Sequence, residues 1–302
     1  MNGANTDATM LEQLRELLHP ERLTHIVDIG ASHLGEEPPY QVLLKHGMCR
    51  VVGFEPQPDA LRELNKKKSP YETYLPYAIG NGEKKTLHVC HYPGWTSTLA
   101  PSAAALDVFT VYRENARVIG RLPIETRRLD DVDEIGPMDL LKIDIQGGEL
   151  EVFRNATKKL SHAIAIQTEV SFINMYENQP TLGDIDIELR RQGFVPQCFA
   201  SIRSGMIAPL TVNSNPWQSL HQLLEADMVY VRDIRELDRL DAEQLKHLCL
   251  IADACYGSFD LAYRCLTILE ERESVGNGSA ARYVELLNSG PPVTPARYSI
   301  PK

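Results

Sequence analysis

A rhythm of short apolar runs separated by helix-length segments constrains this chain more than any other feature. The first run, residues 25–30 (HIVDIG), ends in an acid and a glycine, and the second, residues 51–55 (VVGFE), follows after one such segment. Residues 140–145 (LLKIDI) and 163–167 (AIAIQ) repeat the pattern, with helical patterning over 58–67, 148–160 and 184–192. Pro58 suits the first turn of its helix. Strands alternating with helices imply βαβ units and a mostly parallel sheet. Further extended pieces fit residues 73–79, 85–90, 194–199 and 228–231, whereas 93–122 is less periodic and reads as irregular, site-covering structure.

Leu11, Leu14, Leu17 and Leu18 give an amino-terminal helix leading into the first strand. From Asp241 the character changes. Leu245, Leu248, Cys249, Ala252 and Cys255 form a stripe at helical spacing, with Asp241 and Gln244 placed to cap its start. Leu261, Cys265, Ile268 and Leu269 form a second stripe after Gly257-Ser258, so one helix pair is expected and not a repeat array. The expected organisation is a sheet domain over 1–235 including the first helix, a helical extension over 236–290, and a flexible tail over 291–302.

The 302 residues suffice for a full core. The net charge of −10 argues against a nucleic acid partner, since phosphate binding leaves a basic footprint. The six cysteines are scattered without a C-x-x-C pair and read as buried thiols in a reducing compartment. No signal sequence and no apolar run of about 18 residues is apparent, which places the chain in the cytoplasm without a membrane span.

Three clusters carry chemistry. In VDIGASHLG (residues 27–35), a glycine turn after the first strand lets backbone amides approach a ligand. Asp28, Gly30, Ser32 and Gly35 are its candidate binding residues, although the strict G-x-G-x-x-G spacing is absent. In GFEP (53–56), Glu55, followed by Pro56, stands where an acid accepts hydrogen bonds from ribose hydroxyls. In DLLKIDIQGGE (139–149), Asp144 should emerge at the carboxyl end of a central strand, with Gln146 and Glu149 across the turn. Glu149 reads equally well as a first-turn helix acid.

Residues 25–233 resemble the FkbM family of S-adenosylmethionine-dependent O-methyltransferases, through VDIGASHLG, VVGFEPQPDAL, ETRRLDDV, LLKIDIQGGELEVFRNA and TEVSFINMYENQP. The resemblance implies an α/β Rossmann-like methyltransferase fold, with a mostly parallel central sheet flanked by helices and a C-terminal helical extension. It implies S-adenosyl-L-methionine bound by Asp28, Gly30 and Glu55, with Ala78 and Ile79 near the adenine and Asp144 beside the methyl group. The chain departs from the family at Ser32-His33-Leu34-Gly35, which holds an extra residue, and at Gln146, where Glu is frequent.

An alcohol acceptor benefits from a base. Asp144 or Glu169, with Glu149 helping, is expected to orient or deprotonate it, Glu169 ending the strand over 163–167. A divalent metal on Asp144 and Glu149 is conceivable but not favoured. His91 is a backup base, and Trp95 and Tyr176 could stack on a flat acceptor or pack the core. The expected acceptor is a small molecule or glycan, a sugar or secondary metabolite, and a homodimer could form through the carboxy-terminal helices. The competing readings are an inactive methyltransferase-fold binding protein and, less well supported, an NAD-dependent oxidoreductase.

Overall fold

The computed structural model describes residues 3–32, 37–289 and 299. In chain order the elements are α1 (Gly3–Leu18), β1 (Thr24–Ile29), α2 (Gln41–Lys45), β2 (Cys49–Phe54), α3 (Pro58–Lys67), β3 (Glu72–Leu75), β4 (Ala78–Ile79) and β5 (Lys84–Cys90). Next come α4 (Ala103–Val108), β6 (Val118–Arg127), β7 (Leu140–Ile143), α5 (Glu149–Arg154), α6 (Thr157–Leu160) and β8 (Ala165–Ser171). The chain continues with α7 (Leu182–Arg191), β9 (Phe194–Gly205), β10 (Gln222–Arg232), α8 (Ala242–Tyr256), α9 (Phe259–Glu271) and α10 (Ser279–Ser289). Contacts divide it into two compact units: residues 26–36 with 51–233, and residues 1–25, 37–50 and 234–302.

The larger unit is α/β and Rossmann-like. Its seven-stranded sheet has the order β3-β2-β1-β7-β8-β10-β9. β2 with β3, β1 with β7, and β7 with β8 pair in parallel, while β10 runs antiparallel to both β8 and β9. β7 and β8 are buried along their whole length, as strands covered on both faces must be. Val27, Ile29, Leu141, Ile143, Val152, Phe153, Ile166 and Leu189 belong to the core of this unit. The strand order reverses between β1 and β7, and at such a switch point the carboxyl ends of the strands open a crevice.

Four local expectations need correction. The extended piece over 73–79 is two strands: Pro76 has no N–H to continue a ladder, so β3 ends at Leu75 and β4 pairs with β6 in a separate sheet of order β4-β6-β5. The region over 93–122, read as irregular, contains α4 and the start of β6, whose alternation is blurred by Gly120 and Pro123. The helix over 148–160 breaks at Asn155, whose amide bonds the Glu151 carbonyl. Glu169 lies inside β8, opposite Asp227 of β10, and not at the strand's end.

The smaller unit is helical and includes α1, which packs on α8 and α10 through a face where Leu11, Leu14 and Leu18 are buried. Asp241 caps α8 as anticipated, its Oδ1 accepting from the Gln244 N–H at 2.8 Å while Gln244 Oε1 accepts from the Asp241 N–H. Gly257, at φ +60°, closes α8 in the left-handed conformation that glycine tolerates best. The two expected stripes form α8 and α9. α10 is an addition to the expected pair: buried Tyr283 donates its hydroxyl to Asp253 Oδ1 of α8 at 2.6 Å. The tail over 291–302 lies outside the described residues except for residue 299.

Candidate functional site

The site begins where β1 ends. Gly30 has φ +82°, and a Cβ there would stand 2.0 Å from the Asp144 carbonyl oxygen. Only glycine lets the β1 and β7 ends close on each other in this way. The Gly30 and Ala31 amides both donate to the Phe54 carbonyl of β2, and the Asp144 amide donates to that of Ile29. The three strand ends are thus laced together, and the chain turns outward at one level.

Above them lies a cavity of about 350 Å³, within the range of small-molecule sites. Its polar wall carries Glu55, Gln57 and Asp59, and its apolar wall Phe54, Pro56, Tyr77, Ala78 and Ile79. The Tyr77 ring is braced by the Arg127 guanidinium 3.6 Å from its centroid and by its hydroxyl donating to Glu134. Glu55 is buried, and its Oε1 accepts the Gln57 N–H at 2.7 Å. Burial raises its pKa, a shift the Gln57 bond opposes and nearby Asp28 reinforces. Lys85 and Glu151 pair at 2.5 Å on another wall.

The turn after β7 forms the floor. Gln146 adopts φ +59°, a left-handed conformation uncommon for a side-chain-bearing residue. Its Nε2 donates to Asp144 Oδ1 at 2.7 Å and Glu169 Oε2 at 3.0 Å. Its Oε1 lies 3.0 Å from the donating Tyr176 hydroxyl, and its carbonyl accepts from Ser97 Oγ at 2.7 Å. Glu149 turns inward: its Oε1 accepts the Ile145 N–H at 2.8 Å, and burial pushes its carboxyl up to about 7. Burial, followed by the neighbouring Glu225 and Asp144 carboxylates, holds the Glu169 pKa well above the ordinary carboxylate range. Opposite Glu169 on β10, Asp227 accepts from Ser201 Oγ at 2.6 Å, and nearby Glu225 pairs with Arg203 at 2.9 Å.

A profile described as the methyltransferase FkbM domain matches residues 28–196, more than half of the chain. The chain belongs to the FkbM methyltransferase family. Similar solved structures include a putative S-adenosylmethionine-dependent methyltransferase from Listeria monocytogenes (11% identity, 76% of this chain and 99% of that chain covered, TM-score 0.39). Others are the magnesium protoporphyrin IX methyltransferase of Synechocystis (11%, 75% and 79%, 0.36) and the precorrin-6y C5,15-methyltransferase of Geobacter metallireducens (12%, 74% and 87%, 0.36). No curated protein matches the sequence.

In this FkbM methyltransferase, Gly30, Ser32, Glu55, Pro56, Ala78, Ile79 and Asp144 all border the cavity. Asp28 is instead fully buried in the sheet, its Oδ1 3.3 Å from Lys142 Nζ on β7. Gly35 lies outside the described residues. Glu149 and Glu169 stand behind the floor, Glu169 reaching it through Gln146. His91 faces Arg117 and Glu114 at the surface. Trp95 and Tyr176 pack on each other with ring centroids 5.6 Å apart. Sequence reasoning missed Tyr77, in the break before β4 that Pro76 signals, and Lys85 of β5, whereas Ser97 falls in the stretch expected to cover the site. Among the described residues no cluster of three or more His, Cys, Asp or Glu is arranged for a metal ion. No helix among them is long and apolar enough to cross a membrane.

Proposed function

We propose that the chain is an S-adenosylmethionine-dependent O-methyltransferase acting on a hydroxyl of a small molecule or glycan. The observation that carries this reading is the pairing of a buried carboxylate, Glu55, with apolar lining residues and Asp144 on one cavity at the sheet's switch point. The donor set fits the cofactor. Glu55 would accept from the two ribose hydroxyls, Tyr77, Ala78 and Ile79 would face the adenine, and Ser32 would face the methionine carboxylate. When bound, the cofactor supplies a methyl group activated by a sulfonium centre.

The residues of the floor do the rest. In-line displacement depends on holding the acceptor oxygen in place. Asp144, on the cavity wall, is the base that orients the hydroxyl and takes its proton. Glu169 is buried and stands behind Gln146, so it supports the floor and does not act as the first base. Glu149 holds the turn. The net charge of −10 suits a neutral or cationic acceptor better than a nucleic acid.

Calorimetry with S-adenosylmethionine, S-adenosylhomocysteine and NAD tests the cofactor. Binding of the two sulfur nucleotides without NAD, weakened in Glu55→Ala, is the expected result. Folded protein that binds none of the three would overturn the proposal.

A further inference from the structure

Gln146 is the most heavily constrained side chain at the floor. Its backbone sits at φ +59°, where a residue with a Cβ persists only when its surroundings hold it. Four groups do so: Ser97 Oγ on its carbonyl, the Tyr176 hydroxyl on its Oε1, and Asp144 and Glu169 on its Nε2. The orientation of the amide follows from chemistry. The Asp144 carboxylate can only accept, so the amino end must face it, and the carbonyl end then faces the Tyr176 hydroxyl, whose one hydrogen lies between Gln146 Oε1 at 3.0 Å and the Trp95 carbonyl at 3.3 Å. Each of its two N–H bonds is directed to a different carboxyl. Tyr176 is itself fixed, buried to 3% exposure and tilted against Trp95.

We propose that Gln146 is a positioning residue that bridges Asp144 to Glu169 and aims the Asp144 carboxylate into the cavity, with Tyr176 holding the opposite end of the amide. Without the bridge, Asp144 is free to swing away, and two neighbouring carboxyl groups lose the donor that separates them. The bridge also explains why a left-handed glutamine occupies this turn where glycine would be easier. Gly147 follows at φ +100°, so the strain at Gln146 is not needed merely to reverse the chain.

This inference rests on the proposed cofactor, and the test is chosen to separate the two. S-adenosylmethionine carries a sulfonium charge that S-adenosylhomocysteine lacks, so their affinity ratio reports a carboxylate aimed at that position. Both are titrated by calorimetry into wild type, Gln146→Asn, Gln146→Gly and Tyr176→Phe. Asparagine tolerates the left-handed backbone but is too short to span both carboxyl groups, and glycine relieves the backbone entirely. The preference for the charged nucleotide should fall roughly fivefold to tenfold in both Gln146 variants, with S-adenosylhomocysteine affinity kept within about twofold. Tyr176→Phe should show a smaller fall. An unchanged ratio in both Gln146 variants, or equal weakening of both nucleotides, would overturn the positioning role while leaving the cofactor reading intact. Wild type that binds neither nucleotide would overturn the cofactor reading and this inference with it.

Discussion

Gly30 and Glu55 show how much of the site rests on single residues. Gly30→Ala must place a methyl against the Asp144 carbonyl at a positive φ, so a loss of at least about 2 kcal/mol is expected in chemical denaturation, with cofactor binding lost as well. Glu55→Gln keeps the shape but removes the charge. Hydrogen bonds to a charged group contribute about 1.5–3 kcal/mol, so nucleotide affinity should drop roughly tenfold to a hundredfold by calorimetry. Because burial raises the Glu55 pKa, wild-type affinity should begin to fall, as the pH is lowered, above the range of an ordinary carboxylate. The glutamine variant should flatten that profile.

At the scale of elements, α10 is held by the Tyr283 hydroxyl on Asp253. Tyr283→Phe strips a buried carboxyl of its donor and should cost about 1–3 kcal/mol in denaturant unfolding. Burial pushes the Asp253 pKa up to about 6 from 3.8. The folded state therefore holds this proton more tightly than the unfolded one. Its contribution to stability is fullest at low pH and is lost as pH rises from about 4 through 6. The phenylalanine variant should extend that loss to higher pH. Elements with a strong local signature were legible in the sequence: β1, β2 and β7 from their apolar runs, α8 from its cap and stripe. Those defined by distant pairing were not. β6 shows weak alternation because much of it is exposed, and it exists through its pairing with β5 and β4. Of the floor, Asp144 was legible from its strand end, whereas the Gln146 bridge needed Glu169 and Tyr176 to be brought in by β8 and the loop beyond it.

For the molecule as a whole, any ligand that binds only the folded state raises stability by mass action. S-adenosylhomocysteine at a hundred times its Kd should add about 2.7 kcal/mol. In a chain of this size that raises the melting temperature by about 4–5 °C in a thermal scan. NAD at the same concentration should leave it unchanged. A shift with NAD, or none with the sulfur nucleotide once binding is saturated, would count against the assigned cavity.

The reversed direction of β10 has a consequence for how the enzyme comes into being. The cavity is lined entirely by residues 29–151, yet Glu225 and Asp227 arrive beside Glu169 only because β10 runs back along β8. On a ribosome, the nucleotide-holding segment is complete about 75 residues before that last carboxylate is made, a lag of roughly 4–15 s at ordinary elongation rates. The order of synthesis thus puts every residue that lines the cavity ahead of β8, β10 and β9, the strands beyond β7 in the sheet, and of the carboxylates they pack beneath the floor.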